Sequence, residues 1–409
     1  MKLAIYLRSI ASARGAEQAA SAIAMGLARR GHHVDFLVEE PGGFLTEALA
    51  ANDPPVRLVD LRGLADASAE RFARAHALLR ALAAPSALLG SGAAWVPPLV
   101  RVVIGDEPPI AALHNYVEAE RPDALIAQLN YPNLVALLAA PLCEAPTRFV
   151  VTVQNHLTTA ARYSKSRWVR AVPALVSRFF PEADAIVAAS RGVAEDVASL
   201  TGSPSRIHVI HNPGFHPDVE ALAREATGHP WLDEPGPPVV LAVGKLKPQK
   251  DFDTLLRAFR ALREKRPARL VILGEGSGHG ALVALAAKLG VAEDVALLGF
   301  VRNPYPFYAR ASVFALSSIF EGFGNVVAEA LACGCPVVST DCPSGPAEIL
   351  ENGRHGRLVP VRDADALARA LDATLEAPPS RDALRERARA FSLEAALDAW
   401  ESLLRDLAA

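Results

Sequence analysis

Two glutamates eight residues apart, Glu321 and Glu329, mark the start of the stretch of this chain richest in groups that can do chemistry, EGFGNVVAEALACGCPVVSTDCPSGPAEIL from 321 to 350. Gly322, Phe323, Gly324 and Asn325 read as a turn, and Val326 to Ala332 as the helix after it. If both acids were helical, their spacing would be about 12 Å along the axis. That is too far for the close carboxylate pair of a retaining glycosidase. The two acids are therefore expected to hold different parts of one long ligand, with the turn's backbone amides facing an anion between them. Two polyhydroxyl groups joined by a diphosphate, as in a nucleotide sugar, fit that spacing. The plain alternative for Glu329 is a surface ion pair, but Ala328, Ala330 and Leu331 make its neighbourhood apolar, so an acid there needs a partner.

Other loops offer less. Gly244 to Asp251 (GKLKPQKD) carries Lys245, Lys247 and Lys250 just before a helix, where ammonium groups and helix amides together attract an anion. A solvated basic turn is the competing reading. Asp251 and Asp253 form an Asp-x-Asp that could hold a metal–diphosphate, but at the first turn of a helix acids more naturally cap it and oppose its dipole. Gly274 to Gly280 approaches a dinucleotide fingerprint, yet His279 stands where the third glycine belongs, so a flexible loop is expected instead of a nicotinamide site.

These loops need elements to position them. Leu3–Leu7 reads as a strand, Ala16–Arg30 as a helix closed by Gly31, and His33–Val38 as the next strand. The same grammar returns at Val239–Val243, at a helix with Phe252, Leu255, Leu256, Phe259 and Leu262 on one face, and at Leu270–Leu273. Further strands are expected at Val295–Phe300, Ala311–Leu316 and Pro336–Ser339, and a last amphipathic helix at Leu393–Leu407. Two α/β domains with parallel sheets follow. The expected bounds are 1–215, a linker at 216–238 within a Pro- and Gly-rich stretch, 239–385, and a closing helix at 386–409 that could return to the N-terminal domain. Ligands would then bind beyond the carboxyl ends of strands.

The 409 residues, 51% hydrophobic and 21% charged with a formal charge of -3, exclude a disordered chain and give no global pull toward nucleic acid or anionic lipid. Cys333 and Cys335 sit in an Ala/Val-rich stretch as buried thiols, Cys143 stands alone, and no cysteine pair has zinc-site spacing. A reducing cytosol fits, and no signal peptide is read in MKLAIYLRSI. Ala81 to Val100 is uncharged for 20 residues, but prolines and glycines interrupt it, so a buried or surface-docking hairpin is expected there instead of a membrane span. Residues 161–180 hold five basic residues and no acid, interleaved with Tyr163, Trp168, Phe179 and Phe180. This suits an anionic membrane surface or a lipid-linked acceptor phosphate; a solvated face with aromatics in the core is the alternative.

The Glu-x7-Glu element from Glu321 to Glu329, the Gly244-Lys-Leu…Gln-Lys250 loop and Arg14-Gly-Ala-Glu17 before a helix resemble glycosyltransferase group 1, family 4. The resemblance covers nearly the whole chain, is densest from Val239 to Val361, and is nearest to bacterial members that build cell-surface polysaccharides. It implies the GT-B architecture of two facing Rossmann-like domains with a cleft between them. It also implies that Lys250 binds the donor diphosphate, that Lys245 takes the place of the usual Arg without its bidentate contact, and that Glu321 holds the transferred sugar and Glu329 the ribose. Gly322, Phe323, Gly324 and Asn325 would line the donor with backbone, as would Gly244 and Gly274, and Gly15 would let the N-terminal loop approach the diphosphate. Where the family commonly has a His-Asn pair, this chain has Gln154, with His156 two residues further on and, on a strand, on the same face. An amide can hydrogen-bond a sugar hydroxyl but cannot take a proton; Gln154 stands at the motif position and is preferred.

The reaction implied is a retaining transfer from a nucleotide diphosphate sugar, UDP-sugar favoured and GDP-sugar second, to a glycan or lipid-linked acceptor. No cofactor, metal or nucleic acid takes part, and the location expected is cytoplasmic or peripheral on the inner membrane face. No protein nucleophile is identifiable, so front-face attack assisted by the leaving phosphate is expected. Three rivals are a nucleotide-sugar epimerase of similar architecture, a dehydrogenase using Gly274–Gly280, and a non-catalytic carbohydrate or nucleotide-sugar binding protein.

Overall fold

The computed structural model describes residues 1–11, 15–64 and 109–409. Arg14 and the uncharged 81–100 segment lie outside the described residues. The chain divides into two compact units, one of residues 1–189, 193–210 and 396–409, the other of 190–192 and 211–395.

The first unit holds a sheet of seven described strands: β1 (Lys2–Ser9), β2 (His33–Glu40), β3 (Arg57–Asp60), β4 (Ala124–Gln128), β5 (Arg148–Val153), β6 (Ala185–Ala188) and β7 (Ile207–Val209). Their order is β3-β2-β1-β4-β5-β6-β7, and every pairing is parallel. The central strands are buried on both faces, and so read as apolar runs without alternation. The helix Leu393–Ala408 packs its Leu397 against Gly26 of the helix Gly15–Arg29, where a Cβ on Gly26 would lie 2.6 Å from the leucine methyl. Arg30 pins the same helix through Asp398 at 2.7 Å and Glu401 at 3.0 Å.

The second unit holds β8 (Val239–Val243), β9 (Arg269–Leu273), β10 (Val295–Gly299), β11 (Val313–Leu316), β12 (Val337–Thr340) and β13 (Arg357–Val359). They are ordered β10-β9-β8-β11-β12-β13, again all parallel. The helix Phe252–Arg263 buries Phe252, Leu255, Leu256, Phe259 and Leu262, the face its periodicity predicts. Residues 216–238, expected as a linker, belong to this unit instead. They form the short helices Val219–Leu222 and Pro230–Asp233, and Arg310 holds Asp233 at 3.3 Å. Pro230 starts the second of these helices, which a reading of proline as linker punctuation misses.

Both sheets reverse direction beside their first strand, between β1 and β4 and between β8 and β11. Loops leaving the carboxyl ends of two such strands diverge and open a ligand crevice. In the second unit those are the loops of Lys250 and Glu321.

Candidate functional site

The loop after β8 is built to hold Lys250. Pro248–Lys250 forms a 3-10 turn, and Asp251 follows in the left-handed region at φ 46°, which Asp tolerates better than most residues. The Asp251 carboxylate accepts a hydrogen bond from Thr254 Oγ1 at 2.7 Å and caps no backbone amide, so its expected capping role is corrected to a side-chain turn. Asp253 is exposed in the first helical turn. Three contacts tie this loop to the one after β11. Ser317 Oγ donates to the Lys250 carbonyl at 2.7 Å, Gln249 Nε2 to the Phe320 carbonyl at 2.7 Å, and the Ile319 amide to the Gln249 carbonyl at 2.8 Å.

Lys250 Nζ therefore lands 2.6 Å from Glu321 Oε1, with the two side chains 13% and 9% exposed. Ser318 Oγ donates to the same carboxylate oxygen at 2.5 Å. A pair this enclosed is costly to desolvate and needs such added donors. Glu329 lies in the second turn of the helix Asn325–Ala332 and accepts a hydrogen bond from the buried Tyr308 hydroxyl at 2.8 Å. Burial pushes its carboxyl up to about 7, against the Tyr308 hydrogen bond and the Lys250 charge, which both pull it down. Glu321 precedes the helix, so the helical 12 Å spacing expected for the two acids does not apply. One cation acts on both.

Backbone close approach fixes the surrounding turns. A Cβ on Gly274 would lie 2.0 Å from the Gly244 carbonyl oxygen. The two loops are zipped by Gly244 N to Leu273 O at 2.9 Å, Leu246 N to Glu275 O at 2.9 Å and Gly278 N to Leu246 O at 3.1 Å. The Gly274–Gly278 stretch is thus pinned, not the flexible loop expected, and Gly274, Gly276 and Gly278 serve this packing. The stem of Lys250 lies across Gly244. At Gly345, φ 83°, a Cβ would fall 1.8 Å from the Phe323 carbonyl oxygen, which locks the 322–325 turn against the loop after β12. Gly324 is the N-cap of the helix that begins at Asn325. The Phe323 side chain is buried against His211 and Phe391, each 5.3 Å away between ring centroids, so it anchors the turn and leaves only its backbone to face a ligand. Lys245 is exposed, unlike Lys250.

In the first unit, Gly15 is exposed and opens the helix Gly15–Arg29, where a loop glycine was expected. β5 ends at Val153, so Gln154 and His156 lie beyond it and the shared strand face expected for them does not exist. His156 is the N-cap residue of the helix Leu157–Tyr163. Its Nδ1 stands 3.1 Å from Thr159 Oγ1, 3.2 Å from Thr158 Oγ1 and 3.4 Å from Asp196. Asp196 in turn accepts the Leu157 and Thr158 amides at 2.6 and 3.2 Å, satisfying the helix start. Gln154 Nε2 reaches Gln128 Oε1 at 3.5 Å, and Gln128 also accepts from Thr152 Oγ1 at 2.8 Å. Sequence reasoning missed Gln128, Ser318 and Tyr308; Gln128 is the last residue of β4, Ser318 lies two residues past β11 and Tyr308 sits inside a short helix, positions that no motif marks.

Of the aromatics in 161–180, Phe179 and Phe180 are buried, Trp168 packs on the core, and Tyr163 is exposed beside Arg162, Lys165, Arg167 and Arg170. No helix among the described residues is long and apolar enough to cross a membrane.

Residues 13–213 match the family described as Glycosyltransferase Family 4, and residues 227–391 match Glycosyl transferases group 1. Over 284 residues the chain is 37% identical to the N-acetylgalactosamine-N,N'-diacetylbacillosaminyl-diphospho-undecaprenol 4-alpha-N-acetylgalactosaminyltransferase of Campylobacter jejuni, covering 68% of this chain and 74% of that one. It is 36% identical over 232 residues to the lipopolysaccharide core biosynthesis glycosyltransferase LpsE of Rhizobium meliloti, covering 55% of this chain and 65% of that one. The Anabaena protein HepE, solved in complex with UDP, shares the fold with a TM-score of 0.70 at 20% identity, over 99% of this chain and 100% of that one. Two parallel Rossmann-like sheets with these neighbours define the GT-B fold. The chain belongs to the group 1, family 4 glycosyltransferases, and it is a glycosyltransferase.

Proposed function

We propose that this enzyme transfers a hexosyl-type sugar from a UDP-sugar to a glycan or lipid-linked acceptor in bacterial surface polysaccharide synthesis, with retention of anomeric configuration and without metal. The observation that carries the reading is the enclosed Lys250–Glu321–Ser318 cluster at the switch point of the second sheet. Lys250, with Lys245 as a second cation, would neutralise the diphosphate as it leaves. The Gly324 and Asn325 amides, at the start of their helix, would add donors to the sugar or phosphate. Glu321 would accept transferred-sugar hydroxyls and Glu329 the ribose hydroxyls. The anomeric carbon–oxygen bond to the diphosphate breaks as the acceptor oxygen bonds the same face, and the acceptor proton passes to a leaving phosphate oxygen. Gln154 would hydrogen-bond a sugar hydroxyl.

The choice of uracil is supported by HepE, which was solved with UDP. The lipid-linked acceptor is supported by the diphospho-undecaprenol substrate in the name of the Campylobacter relative. The exposed cations Arg162, Lys165, Arg167 and Arg170 support contact with an anionic membrane face, which would bring the enzyme to such an acceptor. Calorimetry against UDP, GDP and ADP tests the donor reading. UDP should bind at least about ten-fold more tightly than the others, a difference of about 1.4 kcal/mol. Equal binding of all three, or none, would contradict it.

A further inference from the structure

We propose that His114, Glu118 and Cys143 form a binding site for a borderline-soft divalent cation, zinc above all, in the first unit. His114 and Glu118 lie four residues apart on the helix Pro109–Glu120, so they share a face. Cys143 follows the 3-10 turn Ala140–Leu142, its amide donating to the Ala140 carbonyl at 3.2 Å. One donor atom from each of the three residues lies within 4.8 Å of the other two. His114 Nδ1 stands 3.6 Å from Cys143 Sγ. Tetrahedral zinc with its usual bonds to imidazole nitrogen and thiolate sulfur spans a ligand-to-ligand edge of about 3.6 Å.

The third ligand is fixed relative to the thiol. Glu118 Oε1 accepts the amides of Glu144 and Ala145, the two residues after Cys143, at 2.6 and 3.0 Å. The Cys143 thiol donates to the Ala139 carbonyl at 3.4 Å. Metal binding breaks the S–H bond, forms the S–metal bond and releases the proton to solvent. Thiolate and carboxylate then carry two negative charges against the cation's two positive ones, with imidazole neutral. A sulfur ligand selects against magnesium and calcium, which take oxygen ligands. Three protein ligands leave one position for water.

Both segments precede strands, the helix leading to β4 and the Cys143 turn to β5. The site therefore lies toward the amino-terminal edge of the sheet, while Gln154 and His156 leave its carboxyl edge. The cation clamps the helix to the Cys143 turn and takes no part in sugar transfer.

Cobalt(II) titration of the full chain, stripped by chelator and dialysed, tests the proposal. One equivalent should give an intense near-ultraviolet thiolate-to-cobalt band, which zinc abolishes by displacement and Cys143→Ser removes. Glu118→Gln and His114→Ala should each weaken zinc binding by at least about ten-fold. Zinc should also slow alkylation of Cys143, the one cysteine of four that is not fully buried. A folded wild-type chain that shows no such band, or a band that survives in Cys143→Ser, would overturn the site and leave a thiol–imidazole hydrogen bond in its place.

Discussion

Replacing Lys250 by alanine should have two separable effects, because its ammonium serves two charges. The first is on the protein alone. Glu321 would keep only the Ser318 hydroxyl as a side-chain donor, in a setting where its side chain is 9% exposed. Breaking a buried ion pair by removing one partner costs about 3–5 kcal/mol. The remaining hydroxyl, and water admitted where the lysine stem lay, should reduce this to roughly 1–3 kcal/mol. Adding Glu321→Gln to Lys250→Ala should restore most of that stability, because no uncompensated charge is left. The second effect is on the donor. A charge-assisted phosphate contact is worth roughly 1.5–3 kcal/mol, which is about 10- to 150-fold in UDP affinity. Lys245→Ala removes an exposed cation screened by solvent, and should cost less than about 1 kcal/mol. Urea unfolding measures the first effect and calorimetry with UDP the second. A folded Lys250→Ala protein with unchanged UDP affinity, or a larger loss in Lys245→Ala, would refute the reasoning.

Glu329 titrates near 7 in the folded protein, raised from 4.5 by burial, so the folded state holds a proton that the unfolded state releases between those values. The stability this contributes is complete below about pH 4.5 and is lost as pH rises through about 7, a fall of roughly 3 kcal/mol that Glu329→Gln should flatten in pH-dependent urea melts. Glu321→Gln should depress kcat while UDP affinity stays within about three-fold, whereas Glu329→Gln should weaken UDP itself; the opposite split would exchange their roles. His156→Ala should lower Tm through the lost contacts at the start of the helix Leu157–Tyr163, with kcat within about ten-fold of wild type. Gln154→Ala should lower the single-turnover rate by a hydroxyl contact's worth, roughly 0.5–1.5 kcal/mol.

The elements were legible because parallel strands buried on both faces are written as short apolar runs. Val239–Val243 is found with the bounds read from the sequence, and Leu393–Leu407 becomes Leu393–Ala408. The loops were legible by position but not by geometry. Three lysines before a helix suggested an anion site, but only tertiary hydrogen bonds through Gln249 and Ser317 make Lys250 the enclosed one. The glycines of 274–280 imitated a nucleotide fingerprint because close backbone approach and phosphate binding both demand a missing Cβ. His156 looked strand-borne because apolar patterning cannot mark where β5 stops; the cap that holds it comes from Asp196, forty residues on. Likewise, His114 and Cys143 are far apart in sequence and meet only through the packing of a helix against the following turn.

The most direct test of the sugar-transfer account is the anomeric proton coupling of the product, read by NMR from wild-type enzyme turning over a UDP-sugar in excess chelator. The account predicts release of UDP together with a product of the donor's own anomeric configuration. An inverted anomer would contradict it, as would turnover that stops in chelator and returns with manganese or magnesium.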